Sequence, residues 1–433
     1  MARSAGHKRV RYEFVTHTFT HLHIYTFAMA ENCKQCFPSD DPFSSEETPL
    51  GRAILNGHLD CTKALIDAGH SVLEPDKFGE LPIELAVSCS NLAVLLAVTD
   101  EGANVKTMAR GSNALSKAAG TSAARECLEF LLENGADPRE VDRDGTPVLH
   151  YVTTQESAEI LIRYGADVNA PNSRGDTPIM SILADAVCYP FHDVHVTILA
   201  LIRAGANVDA RSGDGETALM MAREVRFAKV LIENGADVNA RCISGMTPLM
   251  QAAKYRFRTE VVEFLIERGA EVDSVDDDGW TALMHAARND NAAGAALLVS
   301  AGADVNEADN EGETPLIKAS GCEEIVNLLI DKGAEVNARS RSGFTPLNKA
   351  LFFFSLSNRT NHKYKAVACL LAHRGAVLTP HISISSEIIC DFGIWMSDLA
   401  RQRFEENKKL KKFIPEWCAQ PNRCIVCKRK RGA

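Results

Sequence analysis

Three cysteines near the C-terminus are the residues whose spacing best suits metal chemistry. Cys424 and Cys427 are arranged as C-x-x-C, and Cys418 lies shortly before them. Thiolates at this spacing can bind a structural zinc ion, for which Cys390 or His381 would supply the fourth ligand. The alternative is free thiols in a C-terminal tail. We favour this alternative, so no metal ion and no other cofactor is predicted.

The other cysteines point to packing rather than to catalysis. Cys33 and Cys36 form a second C-x-x-C pair, but most of the chain separates it from the C-terminal pair, so the two pairs are not expected to share a metal. Most of the 13 cysteines lie singly in apolar stretches, as Cys61, Cys127 and Cys322 do. A thiol in such a stretch acts as a small apolar side chain, a pattern that favours a reducing compartment.

Two short strings imitate ligand-binding motifs without their context. Residues 213–218 match G-x-G-x-x-A, but no strand is predicted before them, so nucleotide binding is not expected. Residues 276–279 resemble part of a calcium loop, yet His285 stands where the bidentate glutamate is required. The sequence contains no Walker A, H-E-x-x-H or G-x-S-x-G string. We therefore predict that the protein is not an enzyme.

Charge is distributed unevenly along the 433 residues, whose formal net charge is -10. Residues 1–30 and 398–433 are basic, so the segment between them carries a net charge near -20. Such a segment is a poor surface for polyanions, so the repeats are not expected to bind nucleic acid. No run of apolar residues is long enough to span a bilayer.

An internal repeat determines the organisation of the chain. The string Gly-Ala-(Asp/Glu/Asn)-Val-(Asn/Asp) recurs with a period of about 33 residues, in six intact and four weaker copies. The intact copies begin at Gly165, Gly205, Gly235, Gly269, Gly302 and Gly333, and the weaker ones at Gly69, Gly102, Gly135 and Gly375.

A second string, Gly-x-Thr-Pro-Leu, lies between these copies and predicts a turn followed by a helix. It begins at Gly245, Gly312 and Gly343. Glycine suits the positive φ of a tight turn, threonine can cap a helix, and proline is tolerated in the first helical turn. A second helix follows, with an apolar stripe such as residues 261–266. The glycine of the Gly-Ala-Asp string is expected to end that helix as a left-handed C-cap.

These strings together resemble the ankyrin-repeat family over about residues 46–380. The resemblance implies an all-α repeat fold, an ankyrin-repeat solenoid of helix-turn-helix units with β-hairpin loops and a concave binding surface. Residues 1–45 are then an N-terminal leader, and residues 381–433 follow the repeats. The leader is interpreted as a signal peptide, a transit peptide or an extension upstream of a start at Met29.

The sequence departs from the family pattern at the histidine that usually follows Thr-Pro-Leu. Met250, Met284, Ile317 and Asn348 replace it, so we expect its hydrogen bond to be missing. Two repeats also carry extra residues, within 184–196 and 351–365. These aromatic-rich and histidine-rich insertions are interpreted either as partner-contact lobes or as extensions whose rings pack back on the helices.

The region after the repeats is interpreted from its apolar pattern and its charge. Residues 388–404 have helical apolar spacing, which predicts an amphipathic helix that either caps the last repeat or recruits other proteins. The basic runs at 408–412 and 428–431 resemble a nuclear localisation signal in two clusters. We expect a cytoplasmic protein with a possible nuclear pool.

The resemblance places partner binding at variable hairpin-tip and inner-helix positions. Trp280 is the strongest candidate, because the fold does not require a tryptophan there and tryptophan dominates many interfaces. Phe344, taken to occupy the equivalent position one repeat later, could form an aromatic patch with it. Acidic neighbours predict a partner with a basic rim. The candidates are Met246, Tyr255, Asp277, Asp278, Trp280, Arg288, Asn289, Glu313 and Phe344.

The predicted function is protein–protein interaction through this surface, as a scaffold or module. The alternative is a substrate-recognition adaptor of a ubiquitin ligase that recruits its machinery through residues 381–433, by analogy with other ankyrin proteins. The sequence does not fix the oligomeric state.

Overall fold

The computed structural model describes residues 48–378, apart from Lys77, 106–107, 110–111, 187–193 and 357–361. The predictions for the leader, for residues 381–433 with their cysteine site, and for the centre of the first insertion lie outside these residues. The described residues fall into two compact units, divided between Gly213 and Asp214.

The first unit consists of helices with one short hairpin. A 3₁₀ turn at Val148–Tyr151 takes the place of one first helix, and the strands β1 (Met108–Ala109) and β2 (Ser112–Asn113) pair in antiparallel fashion. The helices are α1 (Pro49–Leu55), α2 (Leu59–Asp67), α3 (Pro82–Ser88), α4 (Leu92–Asp100), α5 (Ala114–Gly120), α6 (Arg125–Glu133), α7 (Gln155–Arg163), α8 (Pro178–Asp185) and α9 (Val194–Arg203).

The second unit contains the most regular repeats. A 3₁₀ turn at Arg256–Arg258 precedes one of its second helices. The helices are α10 (Ala218–Met221), α11 (Val225–Glu233), α12 (Pro248–Ala253), α13 (Thr259–Glu267), α14 (Ala282–Arg288), α15 (Ala292–Ser300), α16 (Pro315–Lys318), α17 (Glu323–Asp331), α18 (Pro346–Leu356) and α19 (His362–His373).

Each unit is built of two helical layers. In the second unit, α10, α12, α14, α16 and α18 pack side by side in one layer, and α11, α13, α15, α17 and α19 form the other. The first unit repeats this arrangement, with the 3₁₀ turn at Val148–Tyr151 standing between α5 and α8. The predicted all-α repeat fold is therefore confirmed.

The boundaries of the helices follow from the two repeated strings. Threonine side chains cap α1, α12 and α14 as predicted, with Thr247 Oγ1 accepting from the backbone N–H of Met250 at 3.3 Å. All ten glycines of the Gly-Ala-Asp strings have φ between 85° and 98°, as a left-handed C-cap requires. The glycine C-caps are confirmed.

The loops between repeats are mostly tight turns, although the resemblance to ankyrin repeats implies β-hairpins. The backbone N–H of Asp276 donates to the carbonyl of Trp280 at 3.0 Å, which closes one such turn. The neighbouring turn is joined to it, because the N–H of Asn310 donates to the carbonyl of Asp278 at 3.0 Å. Within the described residues, the strands β1 and β2 form the one two-stranded sheet, and Val141 and Pro147 form an isolated antiparallel bridge.

The core lies between the two layers and contains small as well as large apolar residues. Ala252, Ala253, Ala286 and Ala287 are buried, which brings successive first helices close together. Among the described residues, Phe227 is the largest fully buried side chain. Within the described ranges, no helix is long and apolar enough to cross a membrane.

The cysteines follow the sequence interpretation with one exception. Cys127 is buried and Cys322 is half-buried, and both are free thiols. Burial raises the pKa of the Cys127 thiol to about 11, so it stays protonated. The interpretation of Cys61 as a lone apolar side chain is wrong, because this residue is disulfide-bonded.

The second insertion lengthens two helices. Helices α18 and α19 have 11 and 12 residues, whereas α13, α15 and α17 have 9 each. The ring of Phe353 stacks on Tyr364 with centroids 5.5 Å apart, and Phe354 is buried. The described part of this insertion thus supports the interpretation in which its aromatic rings pack back on the helices.

Candidate functional site

In some repeats of each unit a side-chain contact joins one repeat to the next, and we call this set of contacts the inter-repeat ladder. In each of these contacts, the first residue directly follows the turn glycine of its own repeat. The second residue belongs to the next repeat and lies five positions after the residue that follows the turn glycine there. In the first unit, Glu80 pairs with Lys117 at 2.5 Å. In the second unit, Gln251 Nε2 donates to Glu216 Oε1 at 2.7 Å, and two further contacts involve Trp280 and Glu313.

Trp280 takes part in this ladder through a cation–π contact. The Nζ atom of Lys318 lies 3.9 Å from the centroid of the indole ring. The same ammonium group pairs with Asp309 Oδ2 at 2.5 Å and with Glu313 Oε2 at 2.8 Å. Since the Lys318 side chain is only 6% exposed, these contacts form in an environment that screens charge weakly. They fix one face of the indole against the protein.

Glu313 joins two lysines and is therefore held ionised. Burial raises the pKa of its carboxyl group, but hydrogen bonds from Lys318 and Lys349 outweigh burial, and the net effect is a lowered pKa. Lys349 Nζ donates to Glu313 Oε1 and lies 5.0 Å from the centroid of Phe344. Glu313 is thus a structural centre of the site rather than an exposed contact residue.

A cleft of about 230 Å³ opens beside these residues, and we call it the Trp280 cleft. The exposed Arg288 lies across it, with its guanidinium carbon 5.5 Å from the centroid of Phe353. The cleft therefore combines aromatic surface with cationic side chains. Its lining residues are Trp280, Arg288, Glu313, Ile317, Lys318, Lys349 and Phe353.

The structure places the other predicted site residues on the same unit but not all in this cleft. Asp277 and Asp278 are exposed at the turn before Trp280, and Asn289 is exposed after α14. Met246 and Tyr255 are half-buried in the preceding repeat. Their role in binding stays a prediction.

The expected aromatic patch of Trp280 with Phe344 is not formed. Glu313 occupies the equivalent position in the repeat between them, so the two rings are two repeats apart. Phe344 packs instead against Phe352, with centroids 5.4 Å apart, and Trp280 packs against His285, with centroids 5.2 Å apart.

A group of cations and aromatic rings, which we call the arginine–aromatic cluster, lies mostly outside the residues predicted from the sequence. The guanidinium carbon of Arg258 lies 4.8 Å from the centroid of Tyr255 and 5.9 Å from that of Phe257. Arg223 lies 6.0 Å from Phe257, and Lys254 lies 5.7 Å from Tyr255. The only sequence signal is the alternation of basic and aromatic residues at 254–258.

Histidine hydrogen bonds reappear one position after the site where the family pattern has them. His150 Nδ1 is 2.7 Å from Ser181 Oγ, and its Nε2 is 2.8 Å from the carbonyl of Ala170. His285 Nε2 is 2.9 Å from Asp276 Oδ2. In these two repeats the expected loss of a histidine hydrogen bond is therefore compensated.

Burial lowers the pKa of His285 even though Asp276 opposes the shift, and the nearby charges of Lys254 and Lys318 lower it further. The unfolded chain therefore takes up a proton before the folded protein does, so stability is complete above about pH 6.5 and falls as the pH decreases. We expect the free energy of unfolding to fall from pH 7 to pH 5.5 by less in His285→Gln than in the wild type, with a difference of at most about 1.4 kcal/mol per pH unit. Urea denaturation at both pH values measures this difference, and identical decreases would contradict the assignment.

Within the described ranges, no group of three or more histidine, cysteine, aspartate or glutamate side chains is placed to bind a metal ion. The site therefore offers aromatic, cationic and acidic contact surface. Paired helices, glycine-capped turns and exposed turn tips of this kind define a helical-repeat protein that interacts with other proteins.

Comparison with known proteins places the chain within this class. Sequence profiles described as ankyrin repeats in three copies match residues 183–276 and 258–340, and a profile described as ankyrin repeats in many copies matches residues 116–163. The chain belongs to the ankyrin-repeat family.

Its curated relatives share the repeats over part of their lengths. The chain is 30% identical to the mouse (Mus musculus) B-cell lymphoma 3 protein homolog over 43% of its own length and 42% of the relative. It is 33% identical to human (Homo sapiens) ankyrin repeat and SOCS box protein 16, over 37% and 38%. It is 26% identical to the E3 ubiquitin-protein ligase KEG of Arabidopsis thaliana, over 42% of its own length and 11% of the relative. The chain thus spans less than half of each of these relatives.

Proposed function

We propose that this protein is an interaction module that binds a partner protein through the Trp280 cleft and the adjacent turn tips. The observation that carries the proposal is the position of Trp280, which is half-exposed at the edge of the cleft while Lys318 holds one face of its ring. A ring that is already immobilised loses little conformational entropy on binding, which favours its use as an anchor.

The surroundings of Trp280 indicate the chemistry of the partner. Asp277 and Asp278 are exposed beside it, and Glu311 is exposed on the next turn. An apolar group of the partner would enter the Trp280 cleft, and basic side chains around that group would meet these acids. Arg288, at the other side of the cleft, can contact a carbonyl or a carboxylate of the same partner.

Replacement of Trp280 tests this proposal. We expect Trp280→Ala to weaken partner binding by at least about tenfold, as removal of an interface anchor does. Affinity capture with the full chain identifies partners, and binding of a purified partner to wild type and variant then gives the affinity ratio.

The control is Tyr164→Ala, which removes an exposed aromatic side chain in the first unit. Circular dichroism and thermal unfolding must show that both variants remain folded. Equal affinities of folded Trp280→Ala and wild type would overturn the proposal for this surface and leave the family assignment intact.

A ubiquitin-ligase adaptor is the second candidate function. It is supported by the 33% identity to a relative whose name includes a SOCS box, although that similarity covers 38% of the relative. Under this proposal the repeats bind the substrate and residues 381–433 recruit the ligase. A chain ending at Pro380 should then retain its substrates and lose ligase subunits in affinity capture. Retention of the same proteins by both chains, without ligase subunits, would exclude the adaptor role.

A further inference from the structure

We propose that the arginine–aromatic cluster binds an acidic peptide segment of a partner protein, with a carboxylate at Arg223 and an apolar side chain on Phe257. This inference rests on the proposed interaction function but concerns a different surface from the Trp280 cleft. The cluster consists of Arg223, Lys254, Tyr255, Phe257 and Arg258.

The cations of the cluster have no carboxylate partner close by. Among the described residues, Arg223, Lys254 and Arg258 have no carboxylate oxygen within 4.0 Å. The neighbouring arginines differ, since Arg226 pairs with Glu224 at 2.7 Å and Arg256 pairs with Asp290 at 3.4 Å. The three cations thus form no ion pair within this distance, although the charge of Glu216 acts on Arg258 from further away.

Arg258 is buried with an incomplete set of hydrogen bonds. This residue is only 5% exposed, and its Nη1 atom donates to the carbonyl of Met220 at 2.9 Å. Its buried Nε atom has no hydrogen-bond partner among the described residues. Burial, followed by the nearby charge of Arg223, lowers the pKa of Arg258 to about 10. A carboxylate bound at Arg223 would offset the repulsion between the two cations.

An exposed apolar surface lies beside these cations. Phe257 is 64% exposed although it lies between two arginines, at 5.9 and 6.0 Å from their guanidinium carbons. It borders a cleft of about 450 Å³. The cleft is lined by Arg223, Glu224, Val225, Arg226, Arg256, Phe257, Thr259, Glu260 and Val261.

A peptide suits this surface better than a nucleic acid does. Glu224 and Glu260 line the same cleft, and the chain as a whole has a net charge of -10. A long polyanion would be repelled by these acids, whereas a peptide with one or two carboxylates needs only Arg223 as its cationic contact. The exposed ring of Phe257 adds an apolar contact, so the predicted motif is an apolar residue flanked by acids.

The probes for the test are seven-residue fluorescent peptides with one glutamate on either side of a central leucine, phenylalanine or tryptophan and serine at the other positions. Matched peptides carry glutamine in place of every glutamate, and a single-stranded oligonucleotide is the third probe. We expect at least one acidic peptide to bind the full chain about tenfold or more tightly than its glutamine counterpart in fluorescence anisotropy. Its affinity should fall about tenfold in Arg223→Gln and in Phe257→Ala.

Lys229→Gln is the matched control, because Lys229 is an exposed cation of α11 that pairs with Glu233. It should leave peptide affinity unchanged. The inference is overturned if every acidic peptide binds no better than its glutamine form, if folded Arg223→Gln and Phe257→Ala bind like the wild type, or if the oligonucleotide is preferred. Such a failure leaves the test with Trp280→Ala unaffected, so the two proposals are separable.

Discussion

Lys318→Ala is expected to lower the free energy of unfolding of the second unit by about 3 to 5 kcal/mol. The variant leaves Asp309 and Glu313 buried with one cation fewer, and their side chains are only 1% and 11% exposed. It also removes the cation from the face of Trp280. Charge desolvation dominates this effect, since an uncompensated buried carboxylate costs far more than a lost surface pair.

Urea denaturation followed by circular dichroism measures this change. The control is Lys229→Ala, which breaks the exposed pair with Glu233 in α11 and should cost less than about 1 kcal/mol. If Lys318→Ala is no more damaging than Lys229→Ala, the network around Lys318 does not stabilise the protein as described.

Gly279→Ala is expected to be distinctly more destabilising than Gly302→Ala, although both residues have positive φ, +80° and +97°. The left-handed backbone costs an alanine about 1 to 2 kcal/mol at either position. At Gly279 the added Cβ would also lie 2.8 Å from the backbone nitrogen of Asn310, which belongs to the neighbouring turn. That nitrogen donates to the carbonyl of Asp278, in the same turn as Gly279. Displacing that turn should add about 1 to 3 kcal/mol.

Gly302 is the matched position for this comparison, because no atom lies within 4 Å of the Cβ that would be added there. The difference between the two urea midpoints isolates the close approach of adjacent turns from the backbone conformation. Equal midpoints would show that the turns separate without a cost in free energy.

The repeat itself could be predicted from the sequence because it depends on local chemistry. A glycine at a left-handed C-cap and proline in a first helical turn act within a few residues, so the spacing of Gly235 and Pro248 marks helix ends directly. The exposed candidates Asp277, Asp278 and Arg288 could be predicted for the same reason, since they follow turn and helix positions.

The contacts between repeats could not be predicted in the same way. Lys318 meets Trp280 across 38 positions of sequence, and the pairing depends on how two turns align in space. Phe344 has the right residue type for a patch with Trp280 but belongs to the wrong repeat. The sequence leaves two interpretations of the insertion at 351–365 open, and only the structure shows that Leu351 and Phe354 are buried in α18.

The inter-repeat ladder sets a rule for which repeats can be joined during gene duplication or deletion. Loss of residues 313–343 would place Lys349 opposite Trp280, so an ammonium group would again cover the indole ring. Loss of residues 280–312 would place Lys318 opposite Met246, where no aromatic ring is present. Repeats of this protein are therefore not equivalent building blocks, and recombination between them preserves the ladder only where the two new neighbours carry compatible side chains.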